Sequence, residues 1–232
     1  MATGVQLSEM LDMLKAEANI SMNIAHGQAA RDAHVHLLRR VQEELYVQHD
    51  WPALNIDRDV SLLAGTALYE FPDDIDFEYV NSVHVLFGAQ WQPLCYGIEP
   101  ADLNEYNADE DFQTFPPRKW EIYPDNTRQF RLWPVPSDAG TLRIYGRKKL
   151  GPLIENADLS TLDATLIVLF AAAEILARQK AEDAQIKLQK AQGFFTALKR
   201  RQGANKRKPF VVGGAPEGRQ PRYGLDFMPW KT

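Results

Sequence analysis

The chain has 232 residues, of which 45% are hydrophobic, and a formal net charge of -5. This composition predicts a soluble protein with a large hydrophobic core, and the negative charge argues against a general nucleic-acid coat. The first residues lack a signal-peptide pattern, and the longest apolar run, 166–173, is too short to span a bilayer. We therefore expect synthesis in the cytoplasm and no membrane association.

The single cysteine, Cys95, excludes an intrachain disulfide and is expected to be a small buried residue.

Residues 6–50 carry apolar side chains at helical spacing and predict at least two helices. Leu7, Met10 and Leu14 mark one apolar face, and a second such face begins at Val35. Asn19, between the two patterns, is a good turn residue.

Residues 51–150 show shorter periods and frequent turn residues, which predict antiparallel strands in a small sandwich or barrel. Residues 98–115 are predicted to form a long acidic loop between two hairpins. The predicted strands are 57–62, 67–71, 80–87, 90–96, 118–123, 128–132 and 141–147.

Residues 160–202 return to helical spacing and predict one long C-terminal helix, with Ser160 and Asp163 as a capping box. Such a helix would be roughly 60 Å long, more than a domain of this size needs for its own core. Its excess length must project or pack against neighbouring copies. Ala171, Ala173 and other small residues would permit close helix contacts, although alanine is also the best helix former.

Residues 203–232 contain too many prolines and glycines for a regular element, yet they are rich in aromatic side chains. Aromatic and arginine side chains dominate the energetics of protein interfaces. We predict an extended arm that docks onto a partner; the alternative is a tail folded over its own domain. The predicted docking residues are Phe210, Arg219, Arg222, Tyr223, Phe227 and Trp230.

Catalytic signatures are few. The five histidines, at 26, 34, 36, 49 and 84, include a pair at i and i+2 that a helix would place on different faces, and no nucleotide or hydrolase motif occurs. Acidic clusters at 73–76 and 109–111 fit solvated loops better than a cation site. The basic residues Lys199, Arg200 and Arg201 could contact phosphates or stabilise the C-terminal end of the helix. No cofactor and no metal is expected.

Four motifs occur in a suggestive order. Residues 38–45 (LRRVQEEL) lead to 50–54 (DWPAL), and residues 64–74 (AGTALYEFPDD), 132–136 (LWPVP) and 171–174 (AAAE) follow. Their order and spacing resemble the head-to-tail adaptor, or connector, proteins of tailed bacteriophages, over about residues 35–200. The likeness is best to the adaptors of short-tailed phages, the broad group that includes tail tubular protein A.

This resemblance implies a structural protein, not an enzyme, in the neck of the virion. Copies would form a ring of about twelve around the DNA channel, as head-to-tail contacts permit. They would attach to the portal after packaging and provide a platform for downstream tail or nozzle proteins, with genomic DNA passing without sequence-specific binding. Trp51 would fill the junction between helices and strands, and Trp133-Pro134 would close an edge strand. The basic residues 199–201 would face the portal or a neighbouring copy.

We therefore predict an α+β protein with a helical bundle, an inserted β-domain and a docking arm. Its parts are 1–50 (N-terminal helices), 51–150 (β-domain), 151–202 (long helix) and 203–232 (arm). One alternative function is a β-sandwich enzyme that uses the acidic loop 102–111. A second alternative is a nucleic-acid-binding protein that uses the basic C-terminal arm. The acidic residues of the enzyme alternative are Asp102, Glu105, Asp109, Glu110 and Asp111.

Overall fold

The computed structural model describes residues 3–20, 28–105, 113–126 and 128–204, and in these ranges eight strands lie between two pairs of long helices. The helices are α1 (Leu7–Glu17), α2 (Gln28–Gln48), the short α3 (Pro100–Glu105), α4 (Ala164–Arg178) and α5 (Ala184–Ala204). The strands are β1 (Asn55–Leu62), β2 (Leu68–Glu70), β3 (Ile75–Phe87), β4 (Gln90–Pro93), β5 (Cys95–Tyr96), β6 (Lys119–Ile122), β7 (Gln129–Trp133) and β8 (Gly140–Lys148).

The strands form two four-stranded sheets. One has the order β1-β8-β3-β4 and is antiparallel throughout, and the other has the order β2-β7-β6-β5. All seven predicted strands are found, with shifted ends, but the predicted strand 90–96 is divided into β4 and β5. The division falls at Leu94, which turns into the core, so that Cys95 donates its backbone N–H to Arg118 on the other sheet at 3.0 Å.

Two strand predictions need correction. β5 pairs with β6 in parallel, so the second sheet is mixed where we predicted antiparallel strands. Trp133 ends β7 as predicted, but β7 has a neighbour on each side and is not an edge strand.

The two sheets share a hydrophobic cluster that is rich in aromatic side chains. Phe130 is fully buried at its centre, with ring centroids 4.9 Å from Phe71 and 5.7 Å from Tyr69. At the rim, Gly140 lies against Phe115, whose ring would be 2.7 Å from an added Cβ and would have to shift to admit one. The sheets thus face one another as the layers of a sandwich do.

The helices α1, α2, α4 and α5 share a second, mainly aliphatic cluster. The chain start is tied to the segment before α4, because Gly4 donates to Ser160 at 3.0 Å and Ser160 donates to Val5 at 2.9 Å. Segments more than 150 residues apart therefore form one helical core. Fully buried members of this cluster are Leu7, Met10, Leu14, Leu38, Ala164, Leu166, Ile167, Ala171 and Ala172.

The prediction of one long helix over 160–202 is wrong. The chain turns at residues 179–183, and α5 packs back along α4. At the turn Lys180 adopts a positive φ of 55°, a left-handed conformation that ends the helix without glycine. The estimated 60 Å rod is therefore two shorter helices.

The predicted capping box is also wrong in its cap residue. Asp163 is the N-cap of α4, and its carboxylate accepts a hydrogen bond from the backbone N–H of Leu166 at 3.2 Å. The Ser160 hydroxyl instead accepts from the backbone of Val5 at 3.3 Å. Asn19 does form the turn after α1, with a φ of 53°.

Two burial predictions change as well. Ala171 and Ala172 are buried in the helical cluster of the same subunit, so they are not available to a neighbouring copy, whereas Ala173 is 4% exposed and borders a groove between α2, α4 and α5. Cys95, expected to be buried, is exposed on β5, a two-residue strand at the edge of its sheet.

Candidate interaction surfaces

The three basic residues near the end of α5 differ in their exposure to solvent. The Lys199 ammonium lies 3.9 Å from the ring centroid of Phe195, within range of a cation–π interaction, and the residue is half-buried. Arg200 and Arg201 are exposed. Of the three predicted basic residues, these two arginines are the ones that present their charge outward.

The predicted docking arm lies outside the described residues from residue 205 onward. Its six predicted docking residues are therefore untested by the geometry and stay predictions. The structure does show where the arm begins. Ala204 ends α5, and Leu198 and Gln202 in the last turns are buried against the helical core.

The acidic loop of the enzyme alternative is described only in part. Asp102 lies on α3, and its carboxylate accepts from the Lys119 ammonium at 2.6 Å and from the backbone N–H of Glu99 at 2.8 Å. These two hydrogen bonds hold the pKa of Asp102 below its usual value. A carboxylate held in this way fastens α3 to β6. Glu105 ends α3, and Asp109, Glu110 and Asp111 lie outside the described residues.

The described histidines are dispersed. His34 and His36 lie on α2 and His84 on β3, where its ring is 5.1 Å from that of Tyr145. His49 packs edge-on against Trp51, and burial, then the charge of Lys199, lowers its pKa. Within the described ranges no group of three or more histidine, cysteine or acidic side chains could hold a metal ion.

Trp51 fills the place predicted for it. The residue is only 3% exposed, and its indole N–H donates to the backbone oxygen of Leu45 at 2.9 Å. Its ring centroid lies 6.0 Å from that of Phe195 on α5. Because β1 begins four residues later, the indole stabilises the point where the chain passes from helices to sheets.

Sequence reasoning missed Arg147, which fastens the same junction from the sheet side. It is 6% exposed on β8, and its guanidinium donates to the backbone oxygen of Tyr46 at 3.0 Å and to Asp50 at 3.1 Å. The guanidinium carbon also lies 4.1 Å from the ring centroid of Tyr79. A buried arginine needs such partners, since an unpaired buried charge is very unfavourable.

Several large apolar side chains are exposed to solvent. They occur on both the helical and the sheet part of the subunit, and α5 contributes Ile186, which is 65% exposed. The others are Val47, Leu63, Leu68, Phe87, Tyr96, Leu103, Ile154, Leu159 and Leu188.

The described residues form a mixed α+β protein with a helical core and two facing sheets. Residues 6–213 match the model of the SU10 adaptor protein family, so the chain belongs to that family. In general terms this supports a structural adaptor role in a bacteriophage and agrees with the resemblance noted in the sequence. No curated protein matches the chain. None of the helices in the described ranges has the length and apolar character needed to cross a membrane.

Proposed function

We propose that the chain is a head-to-tail adaptor in the neck of a phage virion, where about twelve copies form a ring below the portal. The ring extends the DNA channel without sequence-specific contacts and offers downstream tail or nozzle proteins an assembly platform. The family match over residues 6–213 is the observation that carries this proposal. The assignment to short-tailed phages and the tail tubular protein A group rests on the sequence motifs.

The number of copies of this chain that bind one portal assembly tests the proposed ring. Purified alone, the chain is expected to be monomeric or weakly associated, because the portal supplies the symmetric template. Mixed with its portal, it should give a complex whose mass, measured by native mass spectrometry, corresponds to many copies. A complex that holds a single copy would exclude the ring.

We propose a purely structural role, without catalysis or a cofactor. Asp102, the described acid of the enzyme alternative, is engaged by Lys119 and by the backbone of Glu99, which supports a structural use of this carboxylate. The test is to replace it: Asp102→Asn should loosen α3 and leave portal binding intact.

We propose that the arm from residue 203 docks onto the portal, with Phe210, Tyr223, Phe227 and Trp230 as anchors and Arg219 and Arg222 paired with portal acids. The composition of the arm supports this, since anchors of this kind are each worth about 2 kcal/mol or more and can offset the entropy of ordering an extended segment. The family match ends at residue 213, so most of these anchors lie beyond it.

Truncation after Ala204 tests the arm and leaves α5 whole. We expect the circular dichroism spectrum to retain its helical signal, because Leu198 and Gln202 remain packed, while portal affinity is lost. Removing only residues 231–232 is the matched control and should leave affinity unchanged. Undiminished binding after the longer truncation would assign attachment to the helices.

We propose that the basic end of α5 faces the portal or a neighbouring copy and not the bore of the ring. A basic wall would hold the phosphates of passing DNA and slow its transit. The cation–π contact of Lys199 with Phe195 supports this in part, since it directs that charge toward its own subunit. An image of the assembled neck with Arg200 and Arg201 at its narrowest point would contradict the proposal.

A further inference from the structure

A groove runs between α2, α4 and α5 on the outside of the helical part. Its volume is about 400 Å³, and its apolar lining consists of Val41, Phe170, Leu188 and the alanines at 173, 177 and 184. Two carboxylates, those of Glu44 and Glu174, also line it. Glu174 pairs with Arg40 and Arg178, whereas among the described residues Glu44 pairs with Arg40 alone, at 3.7 Å, and its side chain is 55% exposed. The groove therefore offers an apolar floor with one weakly paired acid beside it.

The opposite face of α5 carries a complementary feature. At 100° per residue, Ile186 lies about 200° around the helix from Leu188, so it points away from the groove to which Leu188 contributes. Ile186 is 65% exposed, and Lys190 follows on the same face one turn later. Further along this face, an added Cβ at Gly193 would have nothing within 4 Å. This face has an apolar side chain beside a lysine, whose charge also acts on Glu17 of its own subunit, and open space at Gly193.

The charges of the chain are strongly separated. Helix α5 (residues 184–204) contains five basic residues and no acidic one, whereas residues 1–183 contain 15 basic and 29 acidic ones. The α5 surface of one copy is therefore attracted to the acidic remainder of another.

We propose that the outward face of α5 in one copy docks into the groove between α2, α4 and α5 of the next copy, with Ile186 over the apolar floor and Lys190 beside Glu44. The inference rests on the proposed ring and names the surface that builds it. Because the groove and the outward face lie on opposite sides of the same helix, each copy presents one of each. Such a contact is head-to-tail, and a series of these contacts closes into a ring when the rotation allows it.

Cross-linking on the assembled complex tests the pairing directly. The exposed Cys95 is first replaced by serine, and then Ile186→Cys and Glu44→Cys are introduced into separate chains that are mixed on the portal. A short bis-maleimide should join the two kinds of chain. Asp125→Cys, exposed in the turn between β6 and β7, replaces Glu44→Cys in the control and should give no product with Ile186→Cys.

A second variant tests the same surface without a cross-linker. Gly193→Trp has room within its own subunit, so it should fold, yet its indole would stand between the copies. We expect it to lower the copy number on the portal at least severalfold, while Gly193→Ala keeps the wild-type number. Circular dichroism and thermal unfolding confirm that both variants are folded.

The outcomes separate the two proposals. A many-copy complex in which residues 186 and 44 do not cross-link, or in which Gly193→Trp assembles at the wild-type number, overturns this interface and leaves the ring intact. A wild-type complex with a single copy overturns the ring, and the interface with it.

Discussion

Helices α4 and α5 are consecutive and pack against each other, yet they bury very different surfaces. Ten residues of α4 are buried on all sides of the helix, whereas α5 is held mainly through Ala191, Leu198 and Gln202. The sequence of α4 is almost entirely apolar, whereas α5 interrupts its apolar positions with glutamines, lysines and arginines. α4 serves the interior of the subunit, and α5 covers that interior with one face and presents the other.

Helices α4 and α5 also differ in their charged residues. The charged residues of α4 are Glu174 and Arg178, both in its last two turns and paired with each other, while α5 carries five basic residues. Lys187 forms an ion pair with Glu17 on α1, and its hydrogen bond, with a smaller contribution from the charge of Lys190, lowers the pKa of that carboxyl. The pair fastens the start of α5 to α1. The contrast between the two helices can be tested at single residues.

The largest loss of stability is expected from a substitution in the buried part of α4. Leu166→Ala removes a fully buried side chain and should lower the free energy of unfolding by about 2–5 kcal/mol, because the cavity is only partly refilled. Ile186→Ala on α5 is the matched change and should stay within about 0.5 kcal/mol. Urea unfolding of the purified chain measures both. Equal losses would mean that α5 is as buried as α4.

The start of α4 gives the next largest effect. Asp163→Ala removes the acceptor for the Leu166 backbone N–H and should lower stability by about 1 kcal/mol. Asp163→Asn keeps a capping oxygen and should retain most of that stability. Thermal unfolding distinguishes them, and equal losses in the two variants would assign the effect to charge and not to capping.

The strands could be predicted from the sequence because their signals are local. Alternation and turn residues define each strand within a few positions, although the switch at Leu94 from one sheet to the other was not visible. The break between α4 and α5 was missed because residues 179–183 contain neither glycine nor proline. Lys180 adopts its left-handed conformation in a turn that the packing of α5 on α4 stabilises.

For the candidate surfaces, the sequence predicted which residue types take part but not which of them lie side by side. Trp51 could be placed at the junction because proline follows it, but Arg147 could not, since its partners Tyr46 and Asp50 are about 100 residues away in sequence. The groove likewise depends on which faces of three helices meet. The docking arm, in contrast, is an inference from composition alone and remains a prediction.

A third substitution is expected to stabilise the protein. Gly193→Ala should raise the free energy of unfolding by up to about 1 kcal/mol, since alanine is the better helix former and nothing in the subunit occupies the space of its methyl group. Ala197→Gly, also exposed on α5, should lower stability by a similar amount. Thermal unfolding of the isolated chain checks both. A loss of stability in Gly193→Ala would reveal a contact on the face that we regard as open.

The smallest expected effect is a pH dependence at the contact between α5 and the end of α2. The half-buried His49 ring packs on Trp51 and Phe195, and burial, followed by the charge of Lys199, holds its pKa below 6.5. The unfolded chain therefore binds a proton at His49 more readily than the folded chain does. Its contribution is complete above the unfolded pKa and is lost as the pH falls through 6.5 toward the lower folded value, so stability should decline from about pH 7 to pH 5.5.

His49→Phe should remove this part of the decline, because phenylalanine keeps the ring contacts and takes up no proton. It also removes the contact with the Gln202 side chain, which acts in the opposite direction and raises the pKa of His49. Lys199→Met should reduce the decline only in part, since burial is the larger cause of the lowered pKa. Carboxyls such as Glu17 and Asp59 have lowered pKa values too, but their contributions are lost below their unfolded values of 4.5 and 3.8, outside this range. Urea unfolding at intervals across the range measures the slope, and an unchanged slope in His49→Phe would show that α5 does not hold this ring in its neutral form.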